Sequence, residues 1–539
     1  MAELPVRAPL GSSTSPSSLA AGYNPQMYAN FKILVLVMVV AAIVFALGKP
    51  VATRFMTAED FARRRNLWLF LCAASFIAPS MWLYVLVAAP VIFVVGKRDS
   101  NPVAVYLFVL LAVPPLRVEI PTLGLIGQLF PMDHLRLLSL ALLLPIAFRV
   151  SNYKVPYGSI ESQATKQWIT VDRVLLAYLA LQLLLILPYG SFTSVARRVV
   201  LLVIDVGLPY FVVSRACRSR EMIAEAMASF VVAAAVLVPL EVFEFFRGNM
   251  LFAGIGVQWE AGDMYFPLHR GPFLRAQTTA GHSIFMGYFM AMAIGMWLYL
   301  KAWVTSSALR WLGTLTLLAG LVVPLARGPW LGAIAVFFAY TALGPDAVKR
   351  SLKGSAVVAA LIMVVAVSPW RSELVDYLPF VGTVDAHTVD FRERLATASW
   401  TLIQQNPFFG SFRYLGSLEE FRTGEGIIDL VNTYAIVALT YGLVGLTLFL
   451  AVFMVSIWKA FRVARLLKVQ DPAASLMGTA LIACIIGTLL VLATTSFLHA
   501  MPYFTWTLLG LTFAYVRCVA GDMLRPVHSQ VHEVRAHAI

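Results

Sequence analysis

Apolar runs long enough to cross a bilayer recur along this chain, at residues 31–48, 171–189, 222–246, 283–300, 355–369 and 432–458. Each offers about 15–27 residues, and about 20 in helical geometry span the hydrocarbon core. No water is available there, so the backbone must satisfy its own hydrogen bonds, and only helices and closed barrels cross. Barrel strands are about ten residues long and alternate in polarity. These runs do not alternate. The expected fold class is therefore all-α, a polytopic transmembrane helix bundle of about 12–15 spans.

Charge supports this. Hydrophobic residues are 60% of the 539 positions and charged residues only 13%, against about 25% in a soluble domain. There is too little charge to cover a water-facing surface, and lipid must cover the rest. The net charge of +13 could suggest nucleic acid, but the basic residues collect in short connections between spans, the positive-inside pattern. No basic stripe interleaves with aromatics, so nucleic acid is excluded as a partner. The four cysteines lie within apolar runs or at their ends. They show neither metal spacing nor a disulfide framework and read as small apolar packers. A phosphate-cradling GxxxxGK[ST] loop, an HExxH pair and a metal cluster are all missing, so no cofactor is expected.

Residues 1–30 form a tail rich in Ser, Pro and Ala, expected to be disordered and without the pattern of a cleaved signal. An N-terminal transmembrane bundle follows at 31–370, then a large outer loop at 371–431, C-terminal transmembrane helices at 432–518 and a cytoplasmic tail at 519–539. Arg54 and Arg63 to Arg65 mark an inside connection, as do Arg215 with Arg218 and Arg220, Lys301 with Arg310, and KAFRVARLLK at 459–468. Alternation then places residues 247–281 and 371–431 outside. Residues 67–95 are ambiguous, fitting one long tilted helix or two short ones broken near Pro79. Within the spans ionisable residues are few. Asp205 and Glu241 are the main exceptions and read as partnered or interfacial acids, which weakens a transporter reading.

The polar residues missing from the spans are in the outer loops. Residues 391–405 carry Leu395, Ala398 and Leu402 at helical spacing, predicting an amphipathic helix against the membrane face. Asn406-Pro407 ends it, because a residue before proline avoids helical angles, and Gly410 follows in a turn. Arg275, Arg327, Arg371 and Arg392 fall at or near the predicted outer face. Guanidinium pairs bidentately with phosphate and stays charged, so such a group suits a lipid-linked pyrophosphate. The plainer reading is that each anchors a helix end or pairs with an acid. Arg327 stands between two apolar stretches, in what reads as a tight Arg-Gly turn at the lip of the bilayer. Gly328 there permits close backbone approach.

Four segments together resemble a known family. PLARGPWLGAIAVFF at 324–338 resembles the Ser-Arg-Gly-x-Trp-Leu signature of the bacterial O-antigen ligase and polymerase superfamily, with Ala326 in place of the serine. FLRAQTTAGHSIFMGYF at 273–289 is similar to that family's arginine, turn and helix opening. FRERLATASWTLIQQNPFFGS at 391–411 is similar to its loop helix ending in Pro-x-x-Gly, and DLVNTYAIVALTYGLVGL at 429–446 to its His-Asn-x-x-Leu…Gly-x-x-Gly segment. The matches keep the family's order and cover under half the chain.

The resemblance implies a metal-independent membrane glycosyltransferase of the inner membrane. Its periplasmic loop would be catalytic, and its donor a polyprenyl-pyrophosphate-linked oligosaccharide. It also implies a flippase or chain-length regulator of the same pathway as a partner, beside membrane lipids. By the same resemblance Arg275, Arg327 and Arg392 bind pyrophosphate or order the loop, and Asn432 matches the family's asparagine. Val431 stands where ligases carry a histidine, which favours a polymerase and leaves the base open among Asp429, His282 and His387. A ligase acting on lipid A core or protein, a transporter of lipid-linked oligosaccharide and a non-catalytic scaffold are the alternatives.

Overall fold

The computed structural model describes residues 25–120, 130–151, 169–261, 266–344, 386–422, 428 and 430–523. It is an all-α polytopic bundle. Among the described residues, eight helices are long and apolar enough to cross a membrane. These are α1 (Pro25–Ala52), α3 (Met81–Arg98), α5 (His134–Ser151), α7 (Phe192–Ala216), α8 (Arg220–Arg247), α10 (Ser283–Leu300), α14 (Thr433–Gln470) and α15 (Pro472–Leu492). Between them run α2 (Ala58–Ile77), α4 (Pro102–Val109), α6 (Ile169–Ile186), α9 (Ala253–Gln258), α11 (Ser307–Val322), α12 (Arg327–Leu343), α13 (Ala386–Gln405) and α16 (Met501–Met523). Two short hairpins, β1–β2 (Val118–Glu119 with Pro131–Met132) and β3–β4 (His269–Arg270 with Phe273–Leu274), are the sheet content of the described residues.

Helix starts are set locally. Thr57, Ser80, Asn101, Asp133, Ser191, Ser219, Ser306 and Asp471 each accept a backbone N–H of the following first turn. Such caps contribute about 0.5–2 kcal/mol each and satisfy donors that lipid could not. The ambiguous stretch at 67–95 is two helices. Ala78, held extended by Pro79 (φ −68°, ψ 120°), ends α2, and Ser80 caps α3. α8, α10 and α15 bury most of their length, while α1 faces outward over most of its own.

The described basic connections meet on one face. Arg64, fully buried, bonds Asp99 (2.5 Å) at the end of α3 and Glu225 (2.7 Å) at the start of α8. Arg54 donates to Thr305 (3.1 Å), Arg215 pairs with Asp172 (2.7 Å) and Arg220 with Asp471. A further cluster of basic residues that reads as an inside connection, Lys349, Arg350 and Lys353, and the apolar run at 355–369 lie outside the described residues. The predicted loop helix is present as α13, and it buries Leu395, Ser399 and Ile403 against Leu418, Phe421, Leu430, Ala438 and Leu439. Asp205 is a partnered acid, as expected. Glu241 is buried, and its carboxylate oxygens find no hydrogen-bond partner among the described residues.

Candidate functional site

On the face opposite the basic one, three helices begin side by side. His282 caps α10, its Nδ1 accepting the N–H of Ile284 at 3.1 Å. α12 opens on Arg327 itself. Asn432 caps α14, its Oδ1 accepting from Tyr434 (3.0 Å) and Ala435 (3.2 Å). Gly287, one turn into α10, leaves room for Pro329 in the first turn of α12, where a Cβ would come within 2.9 Å of it. Gly328 admits Thr494, whose hydroxyl would overlap a Cβ there, and Thr433 Oγ1 donates to the Thr495 carbonyl at 2.6 Å. The turn between α15 and α16 is thus the hub on which α12 and α14 start. Each helix N-terminus presents unpaired N–H groups and about half a positive charge, a ready anion site.

The expected Arg-Gly turn is displaced by a few residues. The chain reverses before Arg327, with Leu325 at φ +47°, and Gly328 serves instead to let α12 approach α15. Two hairpin arginines hold that reversal. Arg270 donates to the Leu325 carbonyl (2.5 Å) and Arg275 Nε to the Pro324 carbonyl (3.3 Å). The next segment is fixed by Glu244 of α8, which accepts the N–H groups of Leu251, Gln277 and Thr278, all at 2.9 Å. Thr279 then donates to the Leu111 carbonyl (2.7 Å).

Backbone strain concentrates here. Five non-glycine residues have positive φ among the described residues. Four of them, Thr278 (39°), Leu325 (47°), Val431 (48°) and His499 (54°), flank His282, Arg327 and Asn432 or sit in the hub. A β-branched residue such as Val431 is a genuine outlier at positive φ. Strain of about 1–3 kcal/mol per residue persists only where surrounding structure over-determines it, and it clusters at functional sites.

His499 is not marked by its sequence context, a lone histidine in a short connection. It lies beyond Phe285, whose ring centroid is 5.4 Å from His282 and 5.2 Å from His499. Its Nδ1 is buried without a hydrogen-bond partner among the described residues. Burial, then Arg275, holds the His282 imidazole down at about 4. Burial, then Arg117 and His282, holds His499 at about 3. Both rings are neutral near pH 7. Because Nδ1 of His282 accepts a backbone N–H, its proton sits on Nε2. His282 therefore offers a donor, suited to a phosphate oxygen, rather than a lone pair for a proton.

The basic rim continues. Arg117 lies 3.8 Å from Asp133, whose carboxyl burial pushes up against the pull of Arg136 and Arg117. Arg136 forms a two-point pair with Asp205 (2.9 and 3.1 Å), and Tyr503 donates to the same carboxylate. A π-helical turn at Val203–Gly207 carries Asp205. Asp205 stands out in the sequence as an acid within a span, but nothing in the local pattern marks Arg136 or Tyr503, whose shared partner lies far off in sequence.

Two of the family-like segments interlock. The helix α14 breaks at Gly442 (φ 68°, ψ −172°). In a straight helix Tyr434 and Phe449 would be about 22 Å apart along the axis, yet their ring centroids lie 6.4 Å apart. Into the break runs the segment after α13. Leu443 N–H donates to Pro407 O (2.7 Å), Val444 N–H to Phe408 O (3.2 Å) and Ser411 N–H to Leu439 O (2.7 Å). A Cβ at Gly442 would overlap the Phe408 carbonyl, and one at Gly410 the Leu439 carbonyl. Glycine is needed at both positions for this contact and for their positive φ.

Of the sequence-predicted residues, Arg275, Arg327, His282 and Asn432 come together around the hub. Asn432 is accounted for as a cap, with its amide NH2 the group left to serve a ligand. Arg392 stands on the exposed side of α13, one position from the buried Phe391 stripe. Asp429 and Arg371 lie outside the described residues, as does the side chain of His387. Among the described residues no group of three His, Cys, Asp or Glu could hold a metal. No protein-family model and no curated protein matches the chain.

Proposed function

We propose that this protein is a membrane polysaccharide polymerase. It would transfer a polyprenyl-pyrophosphate-linked glycan to the hydroxyl of another lipid-linked repeat unit, at the periplasmic face of a bacterial inner membrane. The observation that carries the reading is the meeting of three helix N-termini, bearing His282, Arg327 and Asn432, with the arginine hairpin at one membrane face. That is an anion site at the depth where a lipid pyrophosphate head would lie. The resemblance of four segments to the O-antigen ligase and polymerase superfamily gives the anion its chemical class. The basic connections on the opposite face fit the positive-inside rule and so support a periplasmic site.

In this reading the acceptor oxygen attacks the glycosyl C1, and the C1–O bond to pyrophosphate breaks. The electron pair leaves with the lipid pyrophosphate, and the acceptor proton passes to a base. Arg275, Arg327, the helix ends and the Nε2 proton of His282 stabilise the developing charge. Removing one such donor typically costs about 10²–10³ in rate. Asp429 is the proposed base, and Arg392 on the loop helix would close over the donor. Valine at position 431 favours a polymerase over a ligase, which by the resemblance would carry a histidine there.

The test is purified protein with synthetic polyprenyl-pyrophosphate repeat units in metal-free buffer, with product length read on a gel. A ladder of polymer supports the reading. Transfer of preformed polymer to lipid A core without elongation would replace it by a ligase. Normal polymer from Asp429→Asn would remove the base assignment.

A further inference from the structure

The opposite, basic face holds a cavity with no part in the proposed transfer. It measures about 480 Å³ and is lined by Arg54 and Phe55 after α1, Arg220 and Ala224 of α8, and Tyr299 and Trp303 at the end of α10. That volume lies within the ~300–1,000 Å³ range of small-molecule sites. A separate apolar groove of about 290 Å³ lies deeper, between α1, α8, α10 and α11.

The two form one seam. On α1 the groove is lined by Val44, Leu47, Gly48 and Val51. Arg54 and Phe55, which line the cavity, follow in the turn just beyond the end of α1 at Ala52. On α8 the cavity takes Arg220 and Ala224, and the groove takes Val231 and Ala235. Residues at such spacing share one helix face. On both helices the cavity lies at the end toward the basic face and the groove deeper, with the buried turn at Met227 and Ala228 between them on α8. Trp303 and Trp311, both largely exposed, stand at this end, where indole rings favour the headgroup level of a membrane.

Charge at the mouth is mainly positive. Arg54 spends one hydrogen bond, on the neutral Thr305 hydroxyl. Lys301 and Arg310 lie close enough to repel each other, and neither pairs with an acid among the described residues. Against them stand the exposed Glu221 on the cavity wall and Asp471, which is engaged by Arg220. A polar, cationic head pocket above an apolar groove has the shape of one ligand class.

We propose that this seam is a specific site for an anionic phospholipid of the basic-face leaflet. Its phosphodiester sits between Arg54 and the Lys301–Arg310 pair, and an acyl chain lies in the α1–α8–α11 groove. The proposal rests on the membrane fold and not on the polymerase reading.

The test is native mass spectrometry of the full chain in neutral detergent, titrated separately with phosphatidylglycerol, phosphatidylcholine, dihexanoyl phosphatidylglycerol, inorganic phosphate and a polyprenyl monophosphate. Expected are at least tenfold tighter binding of phosphatidylglycerol than of phosphatidylcholine, and at least tenfold weaker binding of the short-chain form. Arg54→Gln with Arg310→Gln should bring phosphatidylglycerol down to the phosphatidylcholine level, while Arg462→Gln leaves it unchanged. Equal binding of the two long-chain lipids by the wild type overturns the headgroup assignment. Equal binding of inorganic phosphate or the short-chain lipid overturns the groove. Displacement of bound phosphatidylglycerol by an equal concentration of the polyprenyl phosphate overturns the phospholipid. The wild-type arms decide these points even where a variant fails to fold.

Discussion

Replacing Gly442 by alanine should undock the loop helix without touching any group proposed to meet substrate. Its backbone at φ 68°, ψ −172° is a region essentially reserved for glycine, and occupying it with another residue costs about 1–3 kcal/mol. The new Cβ would also overlap the Phe408 carbonyl, so the segment at 407–411 must move away. Three backbone hydrogen bonds then go, those of Ser411, Leu443 and Val444. At about 0.5–1.5 kcal/mol each they contribute about 1.5–4.5 kcal/mol. The sum, about 2.5–7.5 kcal/mol, shifts loop docking by at least about seventyfold. Hydrogen exchange by mass spectrometry reads this directly. The amides of Ser411, Leu443 and Val444 should lose protection, and polymer formation should fall with them. Gly416→Ala is the control, since a Cβ there meets nothing within 4 Å. Native protection of those three amides in Gly442→Ala would refute the clamp.

Arg327→Ala should abolish polymer while the protein still inserts and elutes normally; wild-type polymer would remove Arg327 from the site. Arg64→Ala should destabilise the fold by about 3–5 kcal/mol, because it takes from the buried Asp99 and Glu225 carboxylates the guanidinium they share, and a melting series in detergent reads it. His282 and His499 are held at about 4 and about 3, below the ordinary histidine value, so below about pH 6.5 the unfolded chain binds more protons than the folded one. Their contribution is full above about pH 6.5 and falls as pH drops toward 4, by an amount of the order of 3 kcal/mol per ring. His499→Gln should flatten that loss, and an unchanged slope between pH 6.5 and 4 would count against the assignment.

Whatever depends on near neighbours in the chain is legible in one dimension. The described apolar runs of membrane length became helices because lipid leaves the backbone no other partner. Leu395 and Leu402, at helical spacing, marked the face of α13 that packs inward, and Pro79 decided a break that hydropathy left open. Basic connections lie on one face because charge avoids hydrocarbon. Whatever joins residues remote in sequence was fixed only on folding. Gly410 and Gly442 each read as an ordinary turn or helix glycine until the chain folds one against the other. His499 looks like any lone histidine until Phe285 and Arg117 surround it. The position of Arg327 in the first turn of a helix, rather than in the turn before it, was set by Arg270 and Arg275 gripping the reversal at Pro324 and Leu325. Periodicity is a local property and survives in the linear chain. The convergence of α10, α12 and α14 on one turn is a packing outcome, and only the folded bundle contains it.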